Sequence, residues 1–111
     1  FELCGRAGIG KIISRGKLPR VIFCSYDRIA YGAIRELLDR GYQVPEDVAV
    51  FSVDDAPSSE FFKPSLTSVN HAIDETCEAV SKAIIKKIKG EPFAEEIKIA
   101  CTLSWRESTE I

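Results

Sequence analysis

The stretch from Val44 to Val69 constrains this chain more than any other. A turn signal, Val44-Pro45-Glu46-Asp47, feeds an apolar run from Val48 to Val53, and the run stops at two adjacent carboxylates, Asp54 and Asp55. Apolar runs of this length bounded by turn residues read as strands buried within a sheet. In open α/β sheets ligands lie beyond the carboxyl ends of the strands, so an acidic strand end makes Asp54 the first residue to consider for binding.

With 111 residues the chain is one small domain or a piece of a larger one. A hydrophobic content of 45% and a net charge of −2 describe an ordinary globular sequence and lack the basic excess that gripping nucleic acid requires. These residues alone are not expected to bind DNA. Methionine is absent even at position 1, which reads as a start other than a translation start. Cys4, Cys24, Cys77 and Cys101 are widely spaced without a Cys-x-x-Cys pair, which reads as small buried hydrophobes in a reducing compartment. No apolar run reaches the roughly 20 residues of a membrane span and no signal-peptide pattern opens the chain, so the expectation is a cytoplasmic protein.

Along the chain, Ala7, Ile9, Ile12 and Ile13 are compatible with a helix between Cys4 and Arg15, weakened by Gly5, Gly8 and Gly10. Val21 to Cys24 reads as a strand buried on both faces. Asp27 is placed to cap the following helix, whose Ile29, Ala30, Ala33, Ile34, Leu37 and Leu38 repeat at helical spacing before Gly41. Strand, helix, strand with short connections predicts a parallel crossover, and hence an α/β fold with a parallel sheet flanked by helices. Residues 56–63 read as a loop and Leu66 to Val69 as a short extended segment. A further helix over 72–89 has Ile73, Cys77, Val80, Ile84 and Ile88 on one face and Lys86, Lys87 and Lys89 at its end. Ile97, Ile99 and Cys101 alternate with polar or small residues and predict a last strand.

The Asp-led helix, the Val-Pro-Glu-Asp turn, the Asp-Asp strand end, Pro64-x-Leu66-Thr67-x-Val69 and the closing Leu103-Ser104-Trp105-Arg106-Glu107-Ser108-Thr109 occur together in order. In this the chain resembles the C-terminal part of LacI/GalR-type transcriptional regulators. The resemblance implies a periplasmic-binding-protein-like effector domain, two α/β subdomains around a cleft that holds a small ligand such as a sugar or nucleobase. It implies a homodimer, no enzymatic activity and no cofactor. Operator DNA would be met only through an N-terminal helix-turn-helix module that these residues do not contain. It also implies a chain path: 1–69 and 101–111 in the C-terminal subdomain, and 70–100 crossing to pack on the other.

On that resemblance Asp54 matches an aspartate that hydrogen-bonds ligand hydroxyl or amine groups. A carboxylate accepts strongly from two directions, which suits such donors. The alternative is a turn residue satisfied by backbone N–H groups. Asp55 reads as an organiser of the next loop. Tyr26 stands where relatives often have Asn, offering a ring and one hydroxyl in place of an amide. His71 occupies a place where relatives often have Gln lining the cleft; a lone histidine is a poor metal site, and a hydrogen-bonded surface role competes with ligand contact. Phe1 resembles an aromatic that stacks on ligand rings in the family. Ser52 and Val53 replace a commoner Gly and aromatic without evident meaning. Tyr31, Phe61 and Phe62 match subunit-interface positions, where exposed aromatics make good anchors; for the two phenylalanines the alternative is packing back into the domain.

Two rival readings have less support. A phosphoryl-accepting receiver domain shares the acidic strand end, but the next aspartate, Asp74, opens a helix. A periplasmic sugar-binding protein shares the fold but does not usually carry this terminal motif. Asp54 and Asp55 as an acid and base pair is poor chemistry, because neighbours on a strand face opposite ways.

Overall fold

In the computed structural model, which describes residues 1–111, the elements run α1 (Glu2–Ser14), β1 (Val21–Phe23), α2 (Asp27–Asp39), β2 (Ala49–Val53), α3 (Ser58–Phe61), β3 (Thr67–Asn70), α4 (Ile73–Lys89) and β4 (Thr102–Ser104), with a 3-10 turn at Glu107–Thr109. The sheet order is β1-β2-β3-β4. The first three strands are parallel, and β4 returns antiparallel to β3 with Asn70 opposite Thr102. The expected α/β architecture with a mostly parallel sheet is therefore present.

Helix α2 forms because its apolar residues recur on one face, and Ala30, Ala33, Ile34 and Leu37 are buried. It ends where Gly41 adopts φ +85°, letting the Tyr42 N–H reach back to the Leu37 carbonyl at 3.0 Å. Helix α1 lies backbone to backbone against it. A Cβ on Gly5 would stand 2.0 Å from the Ile29 carbonyl oxygen, and one on Gly32 would stand 1.9 Å from the Glu2 carbonyl oxygen. The glycines that cost α1 helix propensity thus include the one that permits its docking.

Ile9, Ile34, Leu37, Val48, Val50 and Leu66 form the centre of one core between these helices and the sheet, each contributing about 1.5–3 kcal/mol by burial. This covers one sheet face only. On β1 Ile22 points inward while Val21 and Phe23 are exposed, so the strand is not buried on both faces as its composition predicts. The open face continues through Phe51, whose ring lies 5.0 Å from that of Phe23, to Leu103 and Trp105.

Two further expectations, the last strand and the buried cysteines, need correction. Residues 97–101 form no strand; the pairing with β3 starts at Thr102, because alternation produces a strand only where a neighbour supplies the ladder. Helix α4 forms as expected; none of its residues is buried, and Ile88 is 79% exposed. Of the cysteines only Cys24 is buried, its thiol pushed up to about 11 by burial, while Cys4, Cys77 and Cys101 are exposed.

Candidate functional site

Tyr26 follows β1, Asp54 follows β2 and His71 follows β3, so the parallel register brings all three to the carboxyl edge of the sheet. Antiparallel β4 starts at the same edge with Thr102. Asp54 and Asp55 turn the chain with φ of 123° and 51°, a left-handed conformation that non-glycine residues rarely adopt. Such backbone persists only where its surroundings over-determine it. Here the Asp54 N–H donates to the Val69 carbonyl at 3.0 Å and the Asp55 N–H to Ser68 Oγ at 3.0 Å.

The two acids then differ sharply. Asp54 has a half-exposed side chain with His71 Nε2 3.5 Å from its Oδ1, and it accepts no hydrogen bond within the chain. It lines an open recess of about 450 Å³ together with Asp55, Asn70, Asp74, Glu75 and Thr102. Asp55 is engaged within the chain instead, through hydrogen bonds at one oxygen and an ion pair alone at the other. Its Oδ2 accepts from Asn70 Nδ2 at 3.0 Å and Ser104 Oγ at 2.8 Å, while Oδ1 faces Arg106 Nη2 at 2.7 Å as an ion pair. Burial pushes the Asp55 carboxyl up, but the Ser104 and Asn70 hydrogen bonds and the Arg106 guanidinium outweigh it and hold the group below the ordinary aspartate range. Asp55 therefore ties together the end of β3, β4 and the C-terminal tail, a wider role than organising one loop.

Phe1 and Tyr26 meet edge to face at 5.8 Å, and the Arg28 guanidinium lies 5.5 Å from the Phe1 ring centre. Arg28 is itself held bidentately by Glu2 at 2.8 and 3.0 Å, a bond that lowers the Glu2 carboxyl to about 2. The structure thus pairs Phe1 with Tyr26 and His71 with Asp54, and no hydrogen bond joins the two pairs. Neither Phe1 nor Tyr26 lines the recess beside Asp54.

Away from this edge, Tyr31 stacks on Phe62 at 4.5 Å, and its hydroxyl meets Ser58 Oγ and Ser59 Oγ at 2.8 and 2.7 Å. Phe62 packs partly against the core, whereas Phe61 is 79% exposed. Asp27 does not cap α2. Tyr26 holds the cap position without a side-chain bond, and Asp27 is buried beneath the sheet edge, accepting from Ser52, Ser59 and Ser68. Ser52, passed over on sequence, is one of its donors. The available signal was a hydroxyl inside the apolar run Val48–Val53, since a buried polar group requires a partner.

A parallel sheet carrying an acidic strand end beside a crossover helix fits a periplasmic binding protein-like domain, and the chain belongs to that family, matching it over residues 5–109. Within the family it is similar to transcription regulators. It is 32% identical over 89 residues to the HTH-type transcriptional repressor PurR of Histophilus somni, covering 80% of this chain and 27% of that protein. It is 31% identical over 98 residues to the HTH-type transcriptional repressor MelR of Bacillus subtilis, covering 88% of this chain and 28% of that protein. A LacI-type transcription regulator from Bifidobacterium animalis superposes with a TM-score of 0.88 at 31% identity, over 96% of this chain and 39% of that one. The chain thus spans under a third of the length of the two repressors.

Proposed function

We propose that these residues form the C-terminal part of the effector-sensing region of a LacI-type, DNA-binding transcriptional regulator. Residues 1–69 and 101–111 make one subdomain, and 70–100 cross to pack on a second. The unburied α4, with Ile73, Val80, Ile84 and Ile88 exposed, supports this path, because an amphipathic helix is stabilised by covering such a stripe. A small effector, a sugar or nucleobase, binds between the subdomains, and operator DNA is read by a separate helix-turn-helix module in a homodimer.

One observation carries the reading. Asp54 is held in a left-handed turn at the sheet's carboxyl edge, beside a recess, with its acceptor sites unused by the chain. It accepts from effector hydroxyl or amine groups with His71 beside it, and the Phe1–Tyr26 pair, outside the recess, offers the effector an aromatic face. No bond is made or broken. The effector favours one arrangement of the subdomains by binding it more tightly, and the dimer passes that preference to the DNA-binding heads.

The test is a thermal-shift panel of galactose, glucose, ribose, adenine, guanine and hypoxanthine on the intact protein. A binder present at about 100 times its Kd stabilises the fold by about 2.7 kcal/mol. Asp54→Ala should weaken the best binder at least about tenfold, the scale of one hydrogen bond to a charged group. Unchanged affinity would remove Asp54 from the site.

A further inference from the structure

The most deeply buried acid of the chain lines no recess. Asp27 is 1% exposed, and its two oxygens accept four donors: Oδ1 from the hydroxyls of Ser52 and Ser68, the latter at 2.6 Å, and Oδ2 from the Ser59 hydroxyl and from the Ala56 N–H at 2.8 Å. A carboxylate offers about four lone-pair sites, so this one is fully engaged. Its donors come from β2, from β3, from α3 and from the loop directly after Asp54 and Asp55.

Both amides that follow Asp54 end on this group. Ala56 N–H reaches Asp27 directly, and Asp55 N–H reaches it through Ser68 Oγ, which accepts that amide and donates its own proton to Asp27. The residues that these amides follow, Asp54 and Asp55, are those with φ of 123° and 51°, and no glycine eases either one. A turn in that conformation relaxes unless its amides are claimed from the buried side.

We propose that Asp27 is the positioning residue of the site: by anchoring the amides of Asp55 and Ala56 it holds the 54–56 turn left-handed and so sets where the Asp54 carboxylate stands. Its value to binding rests on the reading of Asp54 as a ligand group; its hold on the turn can be measured without any ligand. Asn is nearly isosteric with Asp but replaces one oxygen by a donor, which would face either two hydroxyls or a hydroxyl and an amide. Ser68→Ala is the gentler variant, removing the link to Asp55 alone.

The experiment is amide hydrogen exchange on the intact protein with Asp27→Asn and Ser68→Ala. Exchange at Asp55 and Ala56 in Asp27→Asn, and at Asp55 in Ser68→Ala, should rise about tenfold or more beyond any rise at Ile34 and Val50, the loss of one hydrogen bond at the turn. If Asp27→Asn fails to fold, Ser68→Ala alone decides. Wild-type rates over 54–56, or equal acceleration throughout the core, would overturn the proposal. In Ser68→Ala, affinity for whichever of galactose, glucose, ribose, adenine, guanine and hypoxanthine binds the wild type should fall when measured well below the variant's melting temperature; retained affinity would overturn the positioning role. If none of these probes binds the wild type, the ligand reading of Asp54 fails while the exchange result still stands on its own.

Discussion

Replacing Arg106 with methionine keeps the apolar stem and removes two contacts of the guanidinium: Nη2 to Asp55 Oδ1 at 2.7 Å and Nη1 to the Leu66 carbonyl at 2.7 Å. At the first separation two unit charges attract by about 6 kcal/mol for an effective dielectric of about 20. That gross figure shrinks, because the arginine side chain is 19% exposed and Asp55 keeps its bonds from Asn70 and Ser104. Stranding the carbonyl of fully buried Leu66 adds about 1 kcal/mol. A net loss of about 2–3 kcal/mol is expected, just under the range for breaking a fully buried pair. Urea unfolding of the intact protein followed by circular dichroism measures it. Asp55→Asn combined with Arg106→Met should be less damaging than the sum, with a coupling of about 1 kcal/mol or more. The sign with pH follows from the lowered Asp55 carboxyl. The stabilisation is whole above the unfolded aspartate pKa of about 3.9 and disappears as pH falls from there through the lower folded value. Arg106→Met within about 0.5 kcal/mol of wild type, or strict additivity at neutral pH, would refute a stabilising role for the Asp55–Arg106 pair.

Gly32→Ala would put a methyl 1.9 Å from the Glu2 carbonyl oxygen, so α1 must withdraw from α2; a loss of at least about 1–3 kcal/mol in the same unfolding assay is expected, and a neutral result would mean α1 is not docked as described. Phe61→Asp, at a side chain 79% exposed, should lower the mass seen by light scattering from dimer toward monomer at nearly unchanged melting temperature, whereas Phe62→Asp, which also breaks the 4.5 Å stack on Tyr31, should lower both; an unchanged mass in both would end the interface assignment.

The crossover β1-α2-β2 could be read in advance because its signals are local: an apolar run, a helical stripe and a glycine stop within a few dozen residues. Asp54 could be singled out because it ends such a run. Asp27 could not be understood that way, since its donors stand between 25 and 41 positions further along and converge only once three strands are in register. The same holds for Asp55 with Arg106. Strand burial failed at β1 because its composition cannot say how many layers cover the sheet. Residues 97–101 failed because alternation records which way side chains point, while a strand needs a neighbour. The terminal Arg106-Glu107-Ser108-Thr109, recognised only as a motif, turns out to fasten the tail: Ser108 Oγ accepts from the Thr67 N–H at 2.9 Å and donates to the Val50 carbonyl at 2.7 Å.

The pairing of Asn70 with Thr102 has a mechanical corollary. The backbone leaves the sheet toward α4 and comes back from it at adjoining points that are laddered to each other and braced by one carboxylate, Asp55. Anything that travels with α4 is consequently strung on two tethers sharing a common root. Swinging like a gate about that root is open to it, whereas sliding or twisting away would have to tear the ladder first.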